Sequence, residues 1–372
     1  MRFARIDQSP VARWWWTVDR WSLVALALLM GIGILLSLAA SPAVALRIGY
    51  GPLHFVRRHL AVLPAAIALM LTVSLQTPRT VRRIALIGFV VALALVALTF
   101  VIGAEVKGAR RWIELPGLSV QPSEFLKPTF AVLAAWLFAE KKLRPNFPGN
   151  AVSTVLFLVI LAMLLKQPDF GMAVVVAVVW FAQFFMAGLR LYWVAAWTLA
   201  GAVGVYGAYL FSPHVQARIN DFLNPTAADS YQVNRSIEAF VHGGLWGVGP
   251  GEGTVKNFLP DAHADFVFAV AGEELGFIAC LFIVGLFGFI VLRGFSRLLQ
   301  ESNLFVLLAA TGLLIQFGLQ AVINMATTLR LIPTKGMTLP FLSYGGSSML
   351  ALGLGMGMLL ALTRKRLAGG ET

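Results

Sequence analysis

Long apolar runs recur from one end of this chain to the other and limit its possible folds more than any motif does. Runs able to cross roughly 30 Å of hydrocarbon as helix occur about ten times, at 21–40, 60–75, 84–103, 123–138, 151–165, 171–188, 191–211, 265–292, 304–325 and 345–362. A water-soluble domain cannot hide that much apolar surface. Of 372 residues only 12% are charged, about half the roughly 25% of ordinary soluble proteins. The expected class is an all-α integral membrane protein of about ten transmembrane helices, because in lipid each segment must satisfy its own backbone polar groups. Small residues after the first run mimic a signal-peptidase site, but about 20 apolar residues exceed the roughly 7–15 of a signal core, so this run is retained.

The organisation is one polytopic unit, 21–366, between short tails at 1–20 and 367–372. An even number of spans places both termini on one side. Alternate threading puts most of the 29 Lys and Arg residues there, among them Arg13, Arg20, Arg82, Arg83, Lys141, Lys142, Arg190, Arg293, Arg297 and Arg364, which makes that side cytoplasmic. Several cations nonetheless fall in short loops on the opposite side: Arg57, Arg58, Lys107, Arg110, Arg111, Arg330 and Lys335. The net charge of +12 is scattered between apolar runs, which fits membrane lipid and not nucleic acid. Cys280 is the single cysteine, so it offers neither an intramolecular disulfide nor a cysteine-based metal site.

One outer loop is long, 212–264. Within it Val233, Ile237, Phe240 and Val241 follow the spacing of an amphipathic helix lying in the interface plane, capped by Asp229 or Ser230 and closed by Gly243 and Gly244. The glycine-rich GGLWGVGPGEG that follows lacks the strand and the Lys-Ser or Lys-Thr of a phosphate loop. It reads as flexible backbone.

Ionisable groups at or within spans are costly, at least about 2.5–3.5 kcal/mol each. Glu124 and Lys127 stand i, i+3 on one helix, close enough to pair; mutual neutralisation alone would explain them. Asp169 sits in a tight turn. Asp265 lies where the long loop meets the eighth span, with Asp261 and His263 as neighbours able to ligate a cation or relay a proton, although an N-cap would need no further role. Glu273 is about 80° round the helix from Asp265, so the two are expected to border one cavity, with Glu274 beside it.

Five segments, GARRWIELPGLSVQPSEFLKP, KQPDFGMA, QVNRSIEAFVHGGLWGVGPGEG, NFLPDAHADFVFAVAGEELG and LIPTKGMTLPFLSYGGSS, together resemble the SEDS family (shape, elongation, division and sporulation proteins) in order over nearly the whole chain. Their wording is closer to the division branch than to the elongation branch. The resemblance implies a ten-helix fold and a peptidoglycan glycosyltransferase that polymerises lipid II, an undecaprenyl-diphosphate-linked disaccharide peptide, at the septum. It carries an essential aspartate onto Asp265, a Glu–Lys pair onto Glu124 and Lys127, and the preceding arginines onto Arg110 and Arg111. Ala264 stands where relatives often have threonine.

In this reading Asp265 is the general base, and Lys127 with Glu124, Arg110, Arg111, Lys335 and His263 attend the substrate and its diphosphate. The resemblance also implies a class B penicillin-binding protein transpeptidase and other division proteins as partners. A magnesium or manganese ion suits a diphosphate, but no ligand set is complete in the sequence. The alternatives are a lipid II flippase, whose intramembrane charges would line a path between leaflets, and a non-catalytic scaffold for the transpeptidase.

Overall fold

The structure, a computed structural model, describes residues 9–106, 109–115, 118–188, 191–211, 216, 219–220, 222, 231–333 and 336–365. Lys335, Lys107, Arg190, the cap expected at Asp229 or Ser230, and the ends of both tails lie outside the described residues. After a short helix α1 (Pro10–Thr17), the helices are α2 (Arg20–Arg47), α3 (His54–Ser74), α4 (Pro78–Ile102), α5 (Pro122–Leu143), α6 (Gly149–Lys166), α7 (Phe170–Met186), α8 (Leu191–Phe211), α9 (Tyr231–Gly243), α10 (Val267–Leu298), α11 (Leu304–Thr328) and α12 (Gly346–Leu362). Each expected apolar run is helical. Six of the helices, α2, α3, α4, α6, α10 and α11, are both long and apolar enough to cross a membrane; the chain is a multi-pass, α-helical membrane protein.

The centre of the bundle is α5, buried along most of its length and packed against α4, α6, α7, α11 and α12. Small residues let α12 approach closely. Gly353 and Gly357 face α3, where an added Cβ would come within 2.6 Å of the Ala66 carbonyl and 2.7 Å of the Met70 carbonyl, the close backbone contact that small residues four apart permit in membranes.

The loop expected at 104–120 is instead a small antiparallel sheet, β1 (Ala104–Val106), β2 (Ala109–Leu115) and β3 (Leu118–Val120), in the order β1-β2-β3. In the strand ARRWIEL, Ala109, Arg111 and Ile113 share one face and Arg110, Trp112 and Glu114 the other. Ile113 is buried and Arg110 and Glu114 are exposed.

The α9 helix exists but buries a different face from the one its apolar spacing suggested. Ser236, Ala239 and Gly243 are buried, whereas Val241 is exposed. The Ser236 hydroxyl donates to the Thr328 carbonyl at 2.7 Å, and Gly272 leaves room for Phe240, which would otherwise meet a Cβ at 2.2 Å. Small residues win because α9 docks on protein, on α10 and α11.

The span expected from Asp265 is also broken. At Gly276, φ 80° and ψ 177° interrupt α10 and release backbone groups that the glycine-rich segment then binds. Val248 and Gly249 N–H donate to the carbonyls of Glu273 and Glu274 at 3.0 and 3.1 Å, and Phe277 N–H donates to Gly244 O at 2.9 Å. That segment is a fitted strap. Gly247 must lack a side chain, since its Cβ would meet Glu274 O at 2.2 Å. From Phe277 to Leu298 about 33 Å of helix remains, enough for the crossing by itself.

Glu273 does not share a cavity with Asp265. It is fully buried and its carboxylate accepts the N–H groups of Thr254 and Val255 at 2.7 Å and Lys256 at 2.8 Å, with His242 Nδ1 at 2.9 Å. Glu274 pairs with the buried Lys256 ammonium. At the other end of the molecule, Asp19 joins α2 to α10 through Arg293 Nε at 2.7 Å and Arg297 Nε at 3.2 Å. Burial there opposes ionisation, but Arg293, Ser22 and Arg297 outweigh it and hold the Asp19 carboxyl below its usual range.

Candidate active site

Asp265 lies at the end of α10 opposite the Asp19 clasp, in the tight turn that enters the helix. Phe266 occupies the N-cap position, so Asp265 is not the cap. Asp261 builds the turn: with φ at 52° its carbonyl accepts the N–H groups of Ala264 and Asp265 at 2.9 and 3.0 Å. Asp265 is half-buried. Its flank is kept clear by Gly336, where a Cβ would stand 3.3 Å from Asp265 Oδ2.

Two amides on α11 fix this turn to the segment that follows residue 335. Asn324 Nδ2 donates to the carbonyls of Asp265 at 2.9 Å and Met337 at 2.6 Å. One helical turn away, Gln320 Nε2 donates to Thr338 O at 3.1 Å while its Oε1 accepts from Lys127 Nζ at 3.0 Å. Lys127 Nζ also pairs with Glu124 Oε2 at 2.9 Å. All three side chains of this last group are buried. A continuous polar chain therefore links the expected Glu–Lys pair on α5 to the turn that holds Asp265.

Gln320 and Asn324 carry no charge and so are not among the costly ions that stand out in the sequence. Their signal was present: Gln316, Gln320, Asn324 and Thr328 recur every fourth residue in an otherwise apolar helix and share one buried stripe. Uncharged amides in a membrane bundle are interhelical glue. The Thr338 and Ser348 hydroxyls, 2.7 Å apart, fasten the same segment to α12, and Ser347 of α12 accepts from Gln121 N–H at the start of α5 at 2.9 Å.

The two arginines of β2 have different surroundings, as neighbours on a strand must. Arg111 is bound to the α6–α7 turn: Nε donates to Gln167 O at 2.8 Å, a terminal nitrogen donates to Pro168 O at 2.6 Å, and Asp169 Oδ2 lies at 3.7 Å. Arg110 is exposed beside Glu105 at 3.4 Å. His263 is buried, stacked on Phe55 at 4.1 Å between ring centroids, with Tyr344 at 5.5 Å. Burial pushes its pKa down to about 4, against a small upward pull from Asp261, so the ring is neutral at pH 7. Among the described residues no three His, Cys, Asp or Glu side chains gather into a metal-binding group.

The family model for cell cycle proteins of the FtsW, RodA and SpoVE type matches residues 20–367. The chain belongs to the FtsW/RodA/SpoVE family. A probable peptidoglycan glycosyltransferase FtsW of Caulobacter vibrioides is 46% identical over 98% of this chain and 94% of its own length. One of the same name from Coxiella burnetii is 37% identical over 93% and 96%. Among solved structures, a chain of a peptidoglycan synthase complex that coordinates polymerization and crosslinking superposes with a TM-score of 0.77 at 27% identity, covering 93% of this chain and 97% of that one. The rod shape determining protein RodA of Thermus thermophilus superposes with a TM-score of 0.69 at 26% identity, over 94% and 97%. The turn at Asp265 and the amides of α11 thus sit within a membrane fold shared across the FtsW/RodA/SpoVE family.

Proposed function

We propose that this chain is a peptidoglycan glycosyltransferase that polymerises lipid II during septal wall synthesis, with Asp265 as its general base. The carrying observation is a half-buried aspartate fixed through its own backbone carbonyl by Asn324. Names of relatives 46% and 37% identical supply the reaction class. The termini then face the cytoplasm and Asp265 faces the periplasm.

The chemistry follows from what such a carboxylate can do. The 4-hydroxyl oxygen of one sugar attacks the anomeric carbon of the other, whose bond to the diphosphate oxygen breaks. Undecaprenyl diphosphate leaves with the electron pair, and the hydroxyl proton passes to Asp265. General-base assistance of this kind is typically worth 10²–10⁴-fold. Negative charge grows on the leaving group, where fixed cations stabilise the transition state. Arg57 and Arg58, exposed and outside any ion pair among the described residues, supply part of that field, with Arg110 and Lys335. Lys127 acts at one remove: already bound to Glu124 and Gln320, it positions the 336–338 segment.

The fold of the neighbour from the synthase complex supports pairing with a crosslinking enzyme, a class B penicillin-binding protein. The direct test is purified protein with lipid II and separation of the products by size. Wild type is expected to make glycan strands and Asp265→Asn to make them about 10²–10⁴-fold more slowly while inserting and unfolding normally. Strand synthesis by the variant at the wild-type rate would remove the mechanism.

A further inference from the structure

A cavity of about 860 Å³ opens at the end of the bundle away from Asp265, between α5, α6, α7 and α8. Its size lies within the roughly 300–1,000 Å³ of built ligand sites. The floor is aromatic: Phe138 and Phe184 stack with centroids 4.8 Å apart, and Trp197 stands edge-on to Trp180 at 5.3 Å. The mouth is cationic. Lys141 and Lys142, from the last turn of α5, both line it, and among the described residues no acidic one does.

Neighbouring groups leave that charge uncompensated. Glu140 is taken by Arg144 at 3.0 Å, and among the described residues neither lysine joins an ion pair. Lys141 Nζ donates to Pro145 O at 2.5 Å. Lys142 reaches across the mouth to the end of α7, where Gly188, at φ 97°, offers no side chain to block it; a Cβ there would lie 3.1 Å from Nζ. Tyr192 and Trp193, exposed on α8, mark the level of the membrane interface, where such rings concentrate.

An apolar slot in the hydrocarbon beneath two ammonium groups at headgroup depth matches one chemistry, an acyl chain carrying a phosphodiester. A soluble anion would leave the aromatic floor bare, and a zwitterionic lipid would set its own cation against the lysines. We propose that this groove binds one anionic glycerophospholipid from the leaflet on the side of the termini, its phosphate between Lys141 and Lys142 and a chain against Phe138, Phe184 and Trp197. The site is independent of the reaction assigned above.

Native mass spectrometry of the full chain, titrated with dioleoyl-phosphatidylglycerol or dioleoyl-phosphatidylcholine, tests it. Wild type is expected to retain one phosphatidylglycerol at least tenfold more tightly than phosphatidylcholine. Each cation near an anionic surface is worth about fivefold, so K141Q/K142Q is expected to weaken phosphatidylglycerol roughly 25-fold and leave phosphatidylcholine unchanged. Ala151 lines the groove from an exposed position, and Ala151→Trp, which fills it, is expected to abolish selective retention with both lysines intact. Equal retention of the two lipids by wild type, or unchanged phosphatidylglycerol binding in either variant, would overturn the assignment.

Discussion

Glu273 and Asp265 lie eight residues apart, both look anomalous in an apolar sequence, and the fold treats them oppositely. Around Glu273 three backbone N–H groups and a histidine surround a fully buried carboxylate, so its charge is consumed in holding the glycine-rich strap to the break at Gly276. Around Asp265 one fixed contact, from Asn324, is made to the backbone carbonyl, and the residue stays half-buried with one flank cleared by Gly336. A buried charge saturated with donors is a fastening. One whose backbone is held while its carboxylate keeps access to water is equipped to exchange a proton.

Several changes would break or sharpen that contrast. Asp265→Asn is expected to cut lipid II polymerisation by about 10²–10⁴-fold with the unfolding midpoint unmoved; a lowered midpoint would place Asp265 with Glu273 among the fastenings. Glu273→Ala should do the reverse, removing about 3–5 kcal/mol of stability by stranding buried donors, read as a large drop in thermal midpoint of the detergent-purified protein. Should that variant unfold normally yet fail to polymerise, the two carboxylates would share one role.

His263 gives a pH signature. An unfolded histidine titrates near 6.5 and this one at about 4, so between those values only the unfolded chain binds the proton. Its contribution is complete above pH 6.5 and falls as pH drops towards 4, by about 3 kcal/mol in all. His263→Phe keeps the stacking and is expected to flatten that part of the curve of midpoint against pH. Asn324→Leu is next in size: freeing the Asp265 and Met337 carbonyls should lower kcat about 10–100-fold by misplacement, with KM little changed. Asp19→Asn should be mildest, about 1 kcal/mol, because Arg293 and Arg297 remain partly hydrated; a larger loss would make the termini end as stringent a fastening as Glu273.

The positions of the helices were legible because apolar length is a local property, and each run from 21–40 to 345–362 became a helix. The Glu124–Lys127 pair was legible for the same reason, since i, i+3 spacing brings side chains together on any helix. The sheet at 104–120 was not, because three short strands give too little periodicity to separate from a polar loop. The face of α9 was misread since its spacing of large apolar residues describes a helix on a membrane, while its small residues describe a helix on protein, and only the neighbour decides.

The order of residues by itself determined a polytopic helical membrane protein with a few costly charges, since hydrophobic length and the expense of ions in lipid depend on sequence alone. What each charge does was decided by the tertiary structure. Gln320 and Asn324 reach Lys127 and Asp265 across gaps of scores of residues, and Glu273 finds its donors in a strap that docks only because Gly276 breaks the helix. Such partners meet by packing, and no local pattern encodes which amide will face which carboxylate.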